Sequence, residues 1–242
     1  MTYELYYWPG IQGRGEFVRL VLEEAGAEYV DFAKHKDGSE VAVRELMRVL
    51  HDTATPSPPL MPPVLKAGSL LIAQTANILM YLGAHHALAP ADEAGRLWTH
   101  QLQLTIADWV VEIHDAHHPL GGAFYYEDQK PEAARRAALL RDQRLPKFMG
   151  YFETVLGRNR SPSGLLVGNS LTYPDLSLFQ VLAGLRYAFP RAMARLEPDY
   201  PGLVRLYAEV SARPRIAAYL ASDRRLPFNE HGLFRHYPEL DP

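Results

Sequence analysis

The sequence predicts two parts of different class, an α/β unit first and an all-helical unit after it. Three observations lead there. Short apolar or aromatic runs bounded by Pro and Gly alternate with helical periodicity up to about residue 86. A Pro/Ala-rich link, LAPADEAG, follows at 88–95. Beyond it the chain carries helical periodicity and no convincing hairpin. The division is expected at residues 1–86 and 91–242. With 242 residues and 48% hydrophobic content, the chain is long and apolar enough to bury a sizeable core.

Element by element, YELYYW (3–8) reads as an aromatic strand and PGIQGRG (9–15) as a turn. EFVRLVLEEAG then follows helical spacing, with Phe17, Leu20 and Val21 inward, Arg19 and Glu23 outward, and Gly26 as the C-terminal cap. EYVDFA (28–33) is a second strand. SEVAVRELMRVL (39–50) is an amphipathic helix with Val43, Leu46, Met47 and Leu50 as its apolar stripe. PVLKAG and LLIAQ are short strands joined at Ala67-Gly68-Ser69, and TANILMYLGAHH (75–86) puts Ile78, Leu79 and Leu82 on one helical face. The order is therefore β-α-β-α-β-β-α. In the second part helices are expected over 92–118, 131–157, 172–188 and 200–221, broken at Pro/Gly/Ser clusters. The third opens on a capping box, Thr172 with Asp175, and Pro174 in the first turn. The tail, 226–242, has too many Pro and Gly for a helix and too many aromatics for disorder, so it is expected to pack along the surface.

Composition excludes several classes. A formal net charge of −3 offers no basic field for nucleic acid or anionic lipid. No run of 18 apolar residues and no signal-peptide pattern is present, so no membrane contact and a cytoplasmic location are expected. There is no cysteine, which removes disulfides, thiolate metal sites and any nucleophile of the chain's own thiol type. Thiol chemistry here would need a thiol brought by a ligand.

Two stretches carry chemistry. In PPLMPPVLKAG, Pro62-Pro63 stands directly before a strand, where a cis X-Pro bond would turn the preceding backbone out of the sheet, while a trans bond would make a stiff turn. In IAQTANIL, Gln74-Thr75 falls where a helix begins, and the free N–H groups there cap locally or receive a carboxylate. His114 and His118 share a helix face at i, i+4, but no third ligand has a defined spacing, so no metal is expected.

A strand ending in Tyr, a Pro/Gly turn with an Arg, then PPVLKAGSLLIAQTANILMYL, and later NSLTYPDLSLF, together resemble the cytosolic glutathione transferases over nearly the whole chain. The resemblance implies a thioredoxin-like N-terminal domain, an all-α C-terminal domain and a homodimer. It implies glutathione as co-substrate and a small hydrophobic electrophile as partner, with detoxifying conjugation as the activity. Peroxide reduction or isomerisation through the same thiolate is the alternative, or a non-catalytic binding module of the same fold. Pro63 matches the family's cis proline and the Pro62 backbone its cysteinyl-pairing position. The family often has Val there, and Pro62, lacking an N–H, can pair only through its carbonyl. Met61 adjoins it. Gln74 and Thr75 match the pair that holds the γ-glutamyl carboxylate. Residues 9–16 contain no Ser, Thr or Cys, and Tyr7 matches the catalytic tyrosine of the mu-, pi- and sigma-like classes. Trp8 and Arg14 match positions flanking glutathione. Lys34, Lys36 and Arg44 are candidates for its glycyl carboxylate, and Asp108 matches an Asp sent across the dimer interface to its α-amino group. Ile11, Val111, Asp115 and His118 match the second-substrate pocket.

Overall fold

The computed structural model describes residues 2–34, 38–161 and 163–242. Strands β1 (Tyr3–Tyr6), β2 (Tyr29–Asp31), β3 (Val64–Ala67) and β4 (Leu70–Ala73) form one sheet in the order β2-β1-β3-β4. β1 pairs parallel with β2, placing Tyr3 opposite Tyr29, and antiparallel with β3, placing Leu5 opposite Leu65. β3 and β4 form the hairpin, with Gly68 at φ 62° in its turn. The crossover that a parallel pair requires is supplied by α1 (Gly15–Ala25). Helices α2 (Ser39–Leu50) and α3 (Thr75–His85) complete the β-α-β-α-β-β-α order, so the thioredoxin-like unit is in place. The helical region runs α4 (Glu93–Asp115), α5 (Lys130–Leu139), α6 (Leu145–Arg158), α7 (Tyr173–Ala188), α8 (Pro190–Leu196), α9 (Pro201–Ala212) and α10 (Pro214–Leu220).

Several expectations are corrected. The first strand stops at Tyr6, so Tyr7 stands in the connection beyond it. EYVDFA shortens to Tyr29–Asp31 followed by a 3-10 turn, Phe32–Lys34. The α2 core face is Ala42, Leu46 and Val49; of the expected stripe Leu46 is buried, while Val43, Met47 and Leu50 stand at the margins. α4 ends at Asp115, short of 118. The span 131–157 holds two helices joined by a π-turn, Leu140–Arg144, and 200–221 is split at Arg213-Pro214. The short helix α8 lies in a stretch with no expected helix.

Arg19 does not face out. It is fully buried, because three acceptors from different segments meet it: Asp31 (Nε to Oδ2, 2.7 Å), the Gln12 carbonyl (3.2 Å) and Glu16 (3.3 Å). A guanidinium with five donors in a plane suits such a junction.

One continuous core joins the two regions through α1 and α7, with Trp109 of α4 stacked between Phe148 (5.1 Å) and Phe152 (6.1 Å) of α6. A smaller cluster of Tyr6, Leu46, Val49 and Val64 lies under α2. α7 is buried along nearly its whole length. Its capping box is formed as expected: the Asp175 carboxylate accepts from the Thr172 N–H (2.8 Å), the Thr172 hydroxyl (2.6 Å) and, from outside the box, the Leu166 N–H (2.8 Å). No helix among the described residues is long and apolar enough to cross a membrane.

Candidate active site

A cleft of about 550 Å³ opens between the turn before β3, the start of α3 and one face of α4. Arg14, Met61, Pro62, Pro63, Gln74, Thr75 and Val111 line it, all singled out in the sequence. The Pro62-Pro63 bond is cis. Gln74 caps α3 at φ 69°, a left-handed conformation that a non-glycine residue adopts at a cost of about 1–3 kcal/mol. Its place in the lining of the cleft puts that strain where a ligand would meet it. The Thr75 hydroxyl, in the first turn of α3, is buried and has no hydrogen-bond partner among the described residues.

Two lining residues were missed by sequence reasoning. Gln103 is 2% exposed, and its Oε1 has no partner among the described residues; the His100 Nδ1 is in the same condition. A signal existed: Gln103 stands at helical spacing with Ile106 and Val110, a polar residue inside an apolar stripe. The cleft thus has apolar walls with several polar atoms awaiting partners, the composition expected of a small-molecule site.

Tyr7 lies beside this cleft, not in its lining. The side chain is 5% exposed and its hydroxyl accepts the Arg14 backbone N–H at 2.7 Å. Burial pushes the phenol up from its ordinary range, while the Arg14 amide, and Arg14 and Arg19 as charges, pull it down. An accepted N–H leaves the hydroxyl proton free for donation and polarises it. The turn is shaped around this ring: Gly13 sits at φ 46°, a Cβ there would collide with the hydroxyl, and a Cβ on Gly15 would come within 2.8 Å of the ring. Tyr6, by contrast, is committed to the core. It stacks on Phe32 at 4.3 Å and donates to Glu4, and burial together with that carboxylate raises its phenol.

Other expected residues stand elsewhere among the described residues. Trp8 is 39% exposed, Ile11 is half-buried, and neither lines the cleft. Arg44 is largely exposed on α2, beside Glu45 at 3.9 Å. Lys34 donates to the Asp223 carbonyl, and Lys36 lies outside the described residues. Asp108 is exposed on α4, next to the lining residue Ala107. Asp115 contacts His114 at 3.7 Å. His118 is buried against His117, which bonds the Leu233 carbonyl at 3.0 Å. Burial holds His117 down to about 2 and His118 to about 4, so both are neutral at physiological pH and tie the end of α4 to the tail.

Residues 114–223 match the family model described as "Glutathione S-transferase, C-terminal domain". The chain is 25% identical over 223 residues to a glutathione S-transferase of Plasmodium falciparum, covering 90% of this chain and 94% of the relative. It is 25% identical over 232 residues to glutathione S-transferase P 1 of Xenopus laevis, covering 92% and 93%. Among solved structures, prostaglandin synthase D of Nilaparvata lugens has the same fold at a TM-score of 0.71, with 19% identity and coverage of 94% and 100%. The pi-class glutathione S-transferase of Onchocerca volvulus has it at 0.70, with 21% identity and coverage of 96% and 99%.

Proposed function

We propose that the chain belongs to the cytosolic glutathione transferase family, which the family match and the relatives support, and that it conjugates the glutathione thiolate to electrophilic carbon in small apolar substrates. One observation carries the reading: the α3 N-terminus presents a buried, unpartnered Thr75 hydroxyl beside a strained Gln74, opposite the Pro62 backbone. A helix N-terminus favours an anionic group, and the γ-glutamyl carboxylate supplies one. The Pro62 carbonyl then accepts from the cysteinyl N–H, which sets the thiol toward Tyr7.

In this reading the Tyr7 hydroxyl donates to the sulfur. The thiol proton passes to solvent, the thiolate attacks the electrophilic carbon, and the leaving group departs with the bonding pair. Residues 1–86 hold the peptide, and residues 91–242 supply one wall for the acceptor, Val111 included. A homodimer uses the outer face of α3 and α4, where Met80, Leu97 and Leu104 are exposed, and brings Asp108 toward the partner's glutathione. Sedimentation at micromolar concentration tests the dimer, and a monomer removes that role for Asp108. Calorimetric titration with glutathione, then a panel of aryl halides, enones, peroxides and isomerisable ketones, tests the activity. Binding without turnover of any of them would leave a binding module instead.

A further inference from the structure

The turn that carries Arg14 has glycines at 10, 13 and 15, two of them at positive φ (76° and 46°). Such a segment has little conformational preference of its own, so outside contacts decide where its amides stand. Those contacts come from the far end of the chain. Asn229 Nδ2 donates to the Gly10 carbonyl at 2.8 Å, and Gln12 Nε2 donates to the Leu226 carbonyl at 2.5 Å. The Gln12 Oε1 accepts from Gln180 Nε2 of α7 at 2.8 Å, and the Gln180 Oε1 accepts from Arg225 Nη2 at 3.3 Å. Arg225 pairs with Glu16 at 3.3 Å, Glu16 pairs with Arg19, and both Arg19 Nη1 and the Glu16 N–H donate to the Gln12 carbonyl. The ring closes, with the Arg225–Glu16 link an ion pair and not a hydrogen bond. Gln12, Glu16, Arg19 and Gln180 are all buried, so water does not compete for these partners.

We propose that Gln180, Arg225 and Asn229 are positioning residues for thiol activation: they fix the turn at Gly10 and Gln12, and so hold the Arg14 N–H on the Tyr7 hydroxyl. The inference rests on the reading of Tyr7 as the sulfur's hydrogen-bond donor. Arg14 is two residues from Gln12, and its amide meets the hydroxyl at 2.7 Å, so a displacement of about 1 Å takes the pair beyond hydrogen-bond range. A Tyr7 hydroxyl without that amide is a weaker donor to sulfur. Other charged and titratable groups around the turn are Arg14 itself, Asp31 paired with Arg19, Tyr219 on Glu16, and His114, which faces Arg14 from α4 and is held below its ordinary range chiefly by burial.

The test is Gln180→Leu, which removes both side-chain bonds at near-constant volume, with Asn229→Ala as a surface variant that deletes the bond to Gly10 together with the local one its Oδ1 accepts from the His231 N–H. Each is compared with Tyr7→Phe, reading thiolate absorbance of bound glutathione and kcat/KM for an aryl halide from pH 6 to 9. Gln180→Leu should move the apparent thiol pKa up by about one unit, lose about tenfold in rate at pH 6.5 and recover by pH 9, with glutathione affinity within about twofold. Asn229→Ala should move it the same way by a smaller step. A lowered melting temperature with an unchanged pH profile in both variants overturns the proposal. If only Tyr7→Phe shifts the profile, the clamp fails and the Tyr7 reading stands; if Tyr7→Phe does not, both fall.

Discussion

The Arg14 backbone N–H points at the Tyr7 hydroxyl, 2.7 Å away, across a turn whose two nearest glycines leave no room for a side chain. Tyr7→Phe deletes the acceptor and keeps the ring. Glutathione affinity should stay nearly constant, while conjugation at pH 6.5 falls roughly ten- to hundredfold, the equivalent of about 1.5–3 kcal/mol for a hydrogen bond to a charged group. The deficit should shrink above the free thiol's pKa, about 8.5, where thiolate forms unaided. Tyr6→Phe should show no such pH signature, since its hydroxyl is spent on Glu4. Full activity at pH 6.5 in Tyr7→Phe would contradict the assignment.

Thr75→Val separates binding from stability. Its hydroxyl is buried without a partner, so replacing it by a methyl should leave the melting temperature unchanged or raise it. Glutathione affinity should nevertheless fall about ten- to hundredfold, because the lost bond is to a carboxylate. Calorimetry reading equal affinities would show that the hydroxyl has no ligand to serve.

Arg19→Met should destabilise by about 3–5 kcal/mol, since it leaves Glu16 and Asp31 facing each other with one cation fewer in a dry site. Burial already pushes the Glu16 carboxyl up, with Arg19 the foremost group pulling it down. Urea unfolding measures the loss, and adding Glu16→Gln should restore part of it. A double variant no better than the single would show that the charge on Glu16 is not the source.

Asp175→Asn should also destabilise, because an amide nitrogen replaces one of two oxygens that together accept three donors, at about 1–3 kcal/mol per buried donor left unpaired. Burial pushes this carboxyl up to about 6 against those donors. With the folded-state value above the unfolded one, the stabilising contribution is complete below the unfolded pKa and is lost as pH rises through about 6. The melting-temperature gap between wild type and Asp175→Asn should therefore be wider at pH 5 than at pH 7.5. Glutathione affinity should not change.

Local signals carried most of what could be read in advance. The strand-turn-strand of Val64–Ala73, the start of α3 and the Thr172–Asp175 box each declare themselves within a dozen residues, and each is present. Arg19 was misjudged because its acceptors, Asp31 and the Gln12 carbonyl, lie on β2 and the preceding turn and cannot be seen from helical spacing. The cleft residues on α3 and before β3 were legible through a motif. Gln103 and His100 on α4 were not, since they join the site only when α4 packs beside α3. The tail's hold on Gly10 and Gln12 spans more than 200 residues of sequence and leaves no local trace.

The π-turn between α5 and α6 bears on which changes of length the chain can absorb. Buried positions run Ala133, Ala137 and Leu140, then Leu145, Phe148 and Phe152, so the usual three-four rhythm holds on either side of a single five-residue step. The wide turn takes up one surplus residue without rotating the second half away from Trp109. Deleting Gln143 would turn that step into an ordinary four, but it would place Pro146, now in the first turn of α6, inside a continuous α-helix, where it has no N–H to donate and its ring crowds the carbonyl four residues before it. Inserting a residue at the same point would swing Phe148 and Phe152 off the tryptophan. Lengthening by one should lower the melting temperature sharply, and shortening by one should lower it too, through the ~3 kcal/mol that a helix-interior proline costs.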